Sequence, residues 1–384
     1  MRTGTYIKQI EGYRAFVPAT LPPVPPIDFD SELIQLLSAA DQALGRLDGV
    51  GAVLPNPDLF VSMYVRQEAV LSSQIEGTQS TLKDVLEFEV NVNGDIHPRD
   101  IEEVVNYVKA LNYGLRRLDS LPLSLRLIRE IHQQLLTGVR GSERTPGEFR
   151  RSQNWIGPPG STLNAATFVP PPVHEMNSAL DNLEKFLHQT ESFPSLIHCA
   201  LVHSQFETIH PFLDGNGRVG RLLITFQLCQ RGVLQRPLLY LSHYFKAHRT
   251  EYYDRLMAVR LDGNWEAWIK FFLKGIATVS ESAISLASSI LALRERNKKE
   301  INEKMGNRAA GAIQLLDVLF EQPIITTGFV KSKLNYSQTT VNKLIDEMTQ
   351  MNILNEETGG KRNRRFRYAP YLDLFNALDT SRPS

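Results

Sequence analysis

The sequence predicts a mainly α-helical protein with an N-terminal helical region, a small β-hairpin flap and a C-terminal winged helix-turn-helix. Three observations predict this class. Apolar residues recur at helical spacing through most of the 384 residues. One stretch, residues 141–173, interrupts this pattern and is rich in Gly, Pro, Ser and Asn. After residue 305 the pattern changes to short helices followed by two β-prone pieces, which is the order of a winged helix-turn-helix.

The N-terminal region is predicted to begin extended and to continue as helices. Residues 18–28, PATLPPVPPID, are rich in proline and should run extended over a surface. Asn56, Pro57 and Asp58 form a helix start, and Gly77 is a helix stop. The helices predicted in this part are 30–47, 59–74, 79–90, 99–117 and 122–138.

The middle of the chain is predicted to contain the flap and further helices. Within the loop region 141–173, the β-prone pieces 154–157 and 166–169 predict a small hairpin. Helical periodicity then returns in the segments 174–189, 195–209, 218–230, 250–260 and about 264–300. A polar stretch, EINEKMGN, precedes the C-terminal module. These features predict three domains, 1–120, 121–300 and 305–384.

Composition argues against several classes of protein. Lys and Arg together number 42, as do Asp and Glu, so no overall charge indicates nucleic acid or membrane. Only Cys199 and Cys229 occur, which is unlike a secreted disulfide scaffold. The N-terminus lacks the apolar run of a signal peptide. The apolar region 265–293 is interrupted by charged residues, Lys270, Lys274 and Glu281, which favours a soluble helix over a membrane span. We therefore expect a cytoplasmic protein without a membrane partner.

The segment IHPFLDGNGRVGR, residues 209–221, has the features of a phosphate site. Pro211 ends or bends the preceding helix near His210, and a glycine-rich turn then leads into an apolar helix. Free N–H groups and the helix dipole at such a helix start attract anions. Arg218 and Arg221 share one face of the first turn, where only an anionic ligand would favour arginine. The segment therefore predicts a polyphosphate site, with Asp214 as an oxygen ligand for Mg²⁺.

Three other interpretations compete for this segment. Gly215, Gly217 and Gly220 match the dinucleotide-binding spacing, but no strand precedes them and no acid follows at the required distance. A metal site could use residues at i, i+4 and i+7 of one helix, namely His203, Glu207 and His210, although this is not the usual zinc spacing. The third interpretation is a hydrogen-bonded histidine beside a solvated charged turn. A Walker phosphate loop is excluded because its Gly-Lys-Ser/Thr ending is absent.

The same segment resembles the signature of the Fic family. Every defined position of that pattern, His-x-Phe-x-Asp/Glu-Gly-Asn-Gly-Arg-x-x-Arg, is present in HPFLDGNGRVGR. The strings PGEFRRSQNWIG, FVPPP and YYDRLMAVRLDGNWEAW also resemble bacterial members, and the likeness spans about residues 30–280. The resemblance implies a Fic helical core and transfer of AMP from ATP to Ser, Thr or Tyr hydroxyls of a target protein, with release of pyrophosphate.

The resemblance also implies roles for individual residues. His210 would be the general base, as suits a side chain that titrates near neutral pH. Asp214 would hold Mg²⁺ against the α- and β-phosphates. The remaining ATP-binding positions would be Gly215, Asn216 and Gly217 in the anion hole, Arg218 and Arg221 on the β- and γ-phosphates, Val219 and Gly220 between them, and Tyr252 and Tyr253 beside the adenine. The flap that aligns the target would include Ile156, Gly157, Phe168 and Val169.

An internal inhibitory segment is implied as well. Many Fic proteins carry the pattern Ser/Thr-x-x-x-Glu-Gly/Asn, and SSQIEG supplies Ser72, Glu76 and Gly77 upstream of the signature. The inhibitory helix would span about residues 57–77. A carboxylate at Glu76 would pair with Arg221 and keep this arginine from the γ-phosphate of ATP. A solvated glutamate at a helix end is the alternative interpretation.

Partners and alternative functions stay open from the sequence. The target could be this protein itself, and a homodimer is an expectation at the level of the family. The predicted wing is basic, through Lys361, Arg362, Arg364, Arg365 and Arg367, so the C-terminal module is expected either to bind DNA or to bind protein. Two alternative functions are removal of AMP from modified proteins and a DNA-binding regulator whose Fic site senses nucleotide.

Overall fold

A computed structural model describes residues 2–53, 57–90, 98–139, 141–158, 160–189, 193–360 and 364–380. Within these ranges the chain forms fifteen α-helices and five short β-strands, so the predicted mainly α-helical class is confirmed. The strands lie in two small sheets at the ends of the described chain, and helices build the core between them.

The described chain begins with a β-hairpin that the sequence reading did not predict. Strand β1 (Thr5–Lys8) pairs antiparallel with β2 (Arg14–Val17), and Gly12 in the connecting turn has a φ of 92°. Phe16 in β2 is buried and donates its backbone N–H to the carbonyl of Val169 at 2.9 Å. The hairpin therefore packs on the predicted flap and extends it.

Five helices follow, close to the predicted positions. They are α1 (Ser31–Val53), α2 (Pro57–Ile75), α3 (Leu82–Glu89), α4 (Pro98–Leu118) and α5 (Leu125–Leu136). Side-chain caps explain two of the helix starts. Thr81 and Asp84 form a capping box at α3, and the Ser124 hydroxyl accepts the N–H of Leu127 at α5. Helix α2 ends at Ile75, directly before Glu76, so the inhibitory pattern lies at a helix C-terminus.

The flap contains less β-structure than the sequence predicts. Residues 154–157 and 166–169 form no regular strands; Ile156 and Phe168 make one antiparallel bridge, with N–H···O distances of 2.8 and 3.0 Å. A short 3₁₀ turn, Leu163–Ala165, lies between them. Three helices continue the core: α6 (Val173–Leu187), α7 (Ser195–Ile209) and α8 (Asn216–Gln230). Helix α7 is buried on all sides, as expected for the central helix of a bundle.

Three further helices complete the central bundle. They are α9 (Ser242–Ala247), which the periodicity did not indicate, α10 (Arg249–Asp262) and the 40-residue α11 (Trp265–Lys304). By length and composition, α11 is the one described helix that could cross a membrane. However, 44% of its most apolar stretch is buried inside the protein, where it packs along α1. Its apolar residues are therefore used as core in this fold.

The C-terminal module combines four helices with a three-stranded antiparallel sheet. Its elements are α12 (Ala309–Glu321), β3 (Ile324–Thr326), α13 (Thr327–Leu334), α14 (Gln338–Gln350), β4 (Asn355–Glu356), β5 (Arg365–Arg367) and α15 (Ala369–Thr380). The sheet order is β3-β5-β4. Helix α15 was not predicted from the sequence. Lys361 and Arg362 of the predicted wing lie outside the described residues.

This module rests on the segment that carries the inhibitory pattern. Helix α12 packs on α2, and the Gln322 side chain donates to the carbonyl of Leu86 in α3 at 2.8 Å. Two ion pairs link the sheet to α3: Arg365 with Glu87 at 3.0 Å, and Lys83 with Glu357 at 3.2 Å. Helices α2 and α3 are therefore held between the module and the central bundle.

Candidate active site

The candidate site forms where α7 ends and α8 begins. His210 follows the last residue of α7 with a φ of 50° and a ψ of 60°, a left-handed conformation that is uncommon for a residue with a side chain. This geometry turns the chain out of the helix, and Pro211 prevents the helix from continuing. Gly215, with a φ of 78°, caps the start of α8. The turn therefore places the histidine beside the N-terminus of α8.

Asn216 closes this turn from inside. Its side-chain oxygen accepts the N–H of Phe212 at 2.8 Å, and its side-chain N–H₂ donates to the carbonyl of Phe212 at 2.8 Å. Asn216 is buried, so water cannot replace these bonds. The asparagine expected in an anion hole therefore holds the backbone of the turn. The N–H of Gly215 donates to Asp214 Oδ1 at 2.6 Å, and no side chain caps the N–H groups that follow it, so these remain available to an anion.

His132 of α5 supports the same turn and was not found from the sequence. Its ring stacks on Phe212 with centroids 3.7 Å apart and an interplanar angle of 7°. Its Nδ1 accepts the N–H of Gly147 at 2.9 Å, so Nε2 carries the proton and donates to the carbonyl of Asp214 at 3.1 Å. Burial lowers the pKa of His132 to about 4, which keeps the ring neutral in this role.

Arg218 is enclosed rather than open to solvent. Its guanidinium pairs with Glu103 of α4 at 3.2 Å and with Asp214 at 3.4 Å, and its side chain is 1% exposed. Glu103 also accepts the Thr78 hydroxyl at 3.3 Å. No sequence pattern indicated Glu103, because it lies 115 residues from its partner. Arg218 must exchange at least part of this pairing to contact a phosphate.

Arg221 is held by the two polar residues of the inhibitory pattern. Its Nε donates to the Ser72 hydroxyl at 2.8 Å, and its Nη2 donates to the Ser72 carbonyl at 2.9 Å and to Glu76 Oε1 at 2.7 Å. The arginine side chain is 2% exposed, whereas that of Glu76 is 33% exposed. The Glu76 carboxylate is therefore paired with Arg221, as expected, and is partly exposed to solvent.

Two glycines of α8 make room for carboxylates. A Cβ atom on Gly217 would lie 2.2 Å from Glu76 Oε1, and one on Gly220 would lie 2.3 Å from Glu207 Oε1. Both positions have helical backbone angles, so close approach and not φ requires glycine there. Glu207 Oε1 is buried and makes no hydrogen bond among the described residues, and burial raises the pKa of Glu207 to about 7.

The charges in the site affect its titration. Burial, together with Arg260 and Arg150, lowers the pKa of His210 to about 3, so the imidazole is neutral at physiological pH. This corrects the expectation of a base that titrates near neutral pH. Burial would raise the pKa of Glu76, but Arg221 holds it below its ordinary value. Burial would lower the pKa of Arg221, but Glu76 raises it. The folded protein therefore contains a neutral base beside an ionised Glu–Arg pair.

The alternative metal site is not formed. His203 Nδ1 donates to the carbonyl of Gly220 at 2.9 Å, and its Nε2 accepts the hydroxyl of Tyr252 at 2.9 Å. Both ring nitrogens are used, so His203 cannot act as a ligand together with Glu207 and His210. Across the part of the chain that the structure describes, no group of three or more His, Cys, Asp or Glu could hold a metal ion.

The two tyrosines expected beside the adenine differ in position. Tyr252 is 1% exposed and stacks on Phe245 with ring centroids 4.3 Å apart. Its hydroxyl donates a hydrogen bond to His203 Nε2. It cannot present its ring face to a nucleotide, which corrects the expectation for this residue. Tyr253 is 37% exposed and lies under the Arg249 guanidinium, 5.4 Å from the ring centroid. Only Tyr253 of this pair could stack on a base.

Two of the four flap residues expected to contact a target protein are buried. Phe168 and Val169 are buried, which corrects the expectation that they contact a target directly. Their backbone groups pair with Ile156 and with the N-terminal hairpin. Gly157 lies on the opposite strand piece, and among the described residues it makes no backbone–backbone hydrogen bond. The free edge of the flap therefore runs along its first strand piece, beside the half-exposed Trp155.

Buried titratable groups predict how stability depends on pH. Burial lowers the pKa of four histidines: His132 and His198 to about 4, and His203 and His210 to about 3. These groups take up protons only on unfolding, so stability falls as the pH drops below 6.5. Burial raises the pKa of Glu68 and Glu207 to about 7. Between pH 7 and 4.5 these two groups bind more protons in the folded protein than in the unfolded chain, so they increase stability as the pH falls. Since the histidines outnumber the glutamates, we expect unfolding to cost about 3 kcal/mol less at pH 5 than at pH 7.

Urea denaturation at the two pH values measures this difference. Equal midpoints, or a higher midpoint at pH 5, would contradict the burial of neutral histidines.

Two protein-family profiles match consecutive parts of the chain. The profile described as Fic/DOC family N-terminal matches residues 34–116, and the Fic/DOC family profile matches residues 122–228. The chain belongs to the Fic/DOC family. The second match contains α7, the turn and all but the last two residues of α8, so the site lies in the shared domain of Fic proteins.

Fic relatives with curated names are similar over part of their length. A protein adenylyltransferase Fic from Aedes aegypti is 31% identical over 222 residues, 55% of this chain and 39% of the relative. One from Culex quinquefasciatus is 30% identical over 267 residues, 67% of this chain and 48% of the relative. The chain thus spans less than half the length of these relatives. A crystal structure of a Fic family protein from Desulfovibrio desulfuricans, 19% identical, covers 89% of this chain and 97% of its own with a TM-score of 0.60, which shows a shared fold.

Proposed function

We propose that this Fic protein transfers AMP from ATP to a hydroxyl group of a protein and that Glu76 restrains the reaction. The observation that carries the proposal is the juxtaposition of a neutral histidine with the free N-terminus of α8 and a buried arginine. The names of the similar proteins, protein adenylyltransferase Fic, support the same reaction class.

In the proposed reaction, the target hydroxyl oxygen attacks the α-phosphorus and the bond from this phosphorus to the β-phosphate oxygen breaks. Pyrophosphate leaves, and the hydroxyl proton passes to His210. Its Nδ1 is buried, so Nε2 is the nitrogen available as the base. The N–H groups at the start of α8 stabilise charge that develops on the α-phosphate. Arg221 would bind the γ-phosphate after it leaves Glu76.

The residues present fit a Mg²⁺ ion that arrives with the nucleotide. Such an ion needs one or two carboxylates, because phosphates and water supply its other ligands. Asp214 offers a partly exposed carboxylate at the start of α8, beside the anion site. A Cβ on the facing Gly141 would lie 2.8 Å from Asp214 Oδ2, so glycine there keeps space around this oxygen. Asp214 would hold the ion against the phosphates, where its charge lowers the repulsion that the attacking oxygen meets.

Mass spectrometry after incubation with Mg²⁺ and ATP tests the proposal. Purified protein, alone and with a lysate of target proteins, should gain AMP on Ser, Thr or Tyr side chains. Nucleotide labelled on the α-phosphate should transfer its label, and nucleotide labelled on the γ-phosphate should not. Transfer of the γ-label would indicate phosphorylation and would overturn the proposal. GTP, CTP and UTP supplied in parallel would show whether adenine is selected.

Removal of AMP is a second candidate, favoured by the position of Glu76. Its side chain is 33% exposed, so the carboxylate can contact water while it pairs with Arg221. A carboxylate in that position could orient water toward a modified side chain. Incubation with a protein that already carries AMP separates the two functions, because removal should then require Glu76.

DNA binding through a winged helix in the C-terminal module stays a prediction that the contacts do not favour. Arg364, Arg365 and Arg367 each pair with acidic residues of this chain, which reduces the positive charge that they offer to phosphates. A homodimer likewise stays a proposal at the level of the family.

A further inference from the structure

We propose that Asn154 and Arg150 are positioning residues that link the start of the flap to the backbone of His210. These links hold the imidazole, the general base, in its reactive geometry. This inference rests on the proposed function and adds two residues to it. Neither residue lies in the signature or in the inhibitory pattern. Arg150 precedes the first strand piece of the flap, and Asn154 is the first residue of that piece, which carries the free edge.

Asn154 makes the first link. Its side-chain N–H₂ donates to the carbonyl of Phe212 at 2.8 Å and to the carbonyl of His210 at 3.2 Å. The side chain thus spans the turn between α7 and α8 from the flap side. Asn216 contacts the same carbonyl of Phe212 from the α8 side. The turn is therefore clamped between two asparagine amides, one from the helix and one from the flap.

Arg150 makes the second link and joins both ends of the flap. Its Nε donates to the carbonyl of His210 at 3.1 Å, Nη1 to that of Ser152 at 3.1 Å, and Nη2 to that of Pro171 at 2.5 Å. Its backbone N–H donates to the carbonyl of Pro211 at 2.9 Å. The side chain is buried, and no carboxylate pairs with it among the described residues. A guanidinium in this setting is satisfied only by these carbonyls, so it fixes their relative positions.

These links meet at a residue with an unfavourable backbone. The left-handed conformation of His210 is unfavourable for a residue with a side chain. Such a conformation persists only where surrounding contacts enforce it. The His210 carbonyl accepts from Asn154 and from Arg150, and both donors come from the flap. A segment that docks on the flap would therefore press on the same structure that orients the base.

The test uses the Glu76→Gly background, in which transfer is not restrained. Asn154→Asp keeps the shape of the side chain but removes both N–H donors. We expect its kcat for transfer to fall about 10- to 100-fold because the base is displaced, with the KM for ATP unchanged within about twofold. Asn154→Ala should behave in the same way. Gln153→Ala is the matched control, since Gln153 donates to Pro170 and Asn154 carbonyls in the same flap but not to His210.

A second measurement does not depend on transfer. The imidazole NMR signals of His210, assigned by their loss in His210→Ala, should shift in Asn154→Asp and stay in place in Gln153→Ala. If the Glu76→Gly protein shows no transfer at all, the proposed function fails, and the NMR result still decides this inference. Unchanged kcat and unchanged signals in both Asn154 variants would overturn it. A parallel loss of ATP affinity and thermal stability, equal to the loss of kcat, would also overturn it by indicating a general structural defect.

Discussion

Replacing Glu76 by glycine is expected to raise the rate of AMP transfer about 10- to 100-fold. The Glu76–Arg221 pair is a charge-assisted hydrogen bond of 2.7 Å to an arginine that is otherwise enclosed. Such a bond contributes about 1.5–3 kcal/mol, and ATP must break it before its γ-phosphate can take the arginine. Removing the carboxylate removes this cost, and each 1.4 kcal/mol corresponds to about tenfold in rate. Transfer of label from α-labelled ATP measures the change.

The matched control is Glu89→Gly. Glu89 of α3 pairs with Arg66 of α2 at 2.9 Å, so this variant also deletes a Glu–Arg pair of α2, but one that does not involve Arg221 or α8. Its transfer rate should stay close to that of the unmodified protein. Equal rates in the Glu76→Gly and Glu89→Gly proteins would contradict a restraining role for Glu76.

Replacing His210 by alanine is expected to lower transfer by about 10²- to 10⁴-fold, because no other side chain can take the hydroxyl proton at this position. The buried acid Glu207, three residues before His210, directs its carboxylate at Gly220. ATP binding should be retained within about twofold, since the cradle at α8 is made of other residues. Calorimetry for binding and labelled transfer for chemistry separate the two effects. The substitution is best made together with Glu76→Gly, so that the loss is measured from a high rate.

The pH profile gives an independent check of the same residue. Because the pKa of His210 lies at about 3, kcat/KM should show no loss from protonation of this base between pH 8 and pH 5. A sharp decrease centred near pH 6.5 would show that the imidazole is solvated and not buried. Full transfer by the His210→Ala protein would show that another group is the base.

The local features of the site could be predicted from sequence because each has a short-range signature. The end of α7 follows from Pro211 and the start of α8 from Gly215. The pairing of Glu76 with Arg221 was expected from the family resemblance that the two motifs carry. Glu103, His132, Arg150 and Asn154 gave no such signature. Their roles depend on side chains that reach carbonyls or charges far away in the chain, and no periodicity encodes those contacts.

The errors in the fold have related causes. The N-terminal hairpin and the strand pieces of the flap are short, and they are stabilised by each other rather than by their own patterns. Helix α9 has six residues, too few for a period to stand out. Tyr252 is a different kind of error. The family resemblance implied an aromatic ring that is accessible to adenine, but the ring is buried against Phe245 and its hydroxyl is bonded to His203.

The missing side chain of Gly217 leaves room for the carboxylate of the inhibitory pattern. A methyl group there would strike the Glu76 carboxylate, whereas the next nearest atom is the end of the Arg221 side chain, 3.0 Å from the added carbon. Both contacts are with the ends of flexible side chains, so these side chains would move while the backbone of α8 stays in place. Residues 76 and 217 are therefore coupled: any side chain at position 217 would displace the Glu76 carboxylate from Arg221.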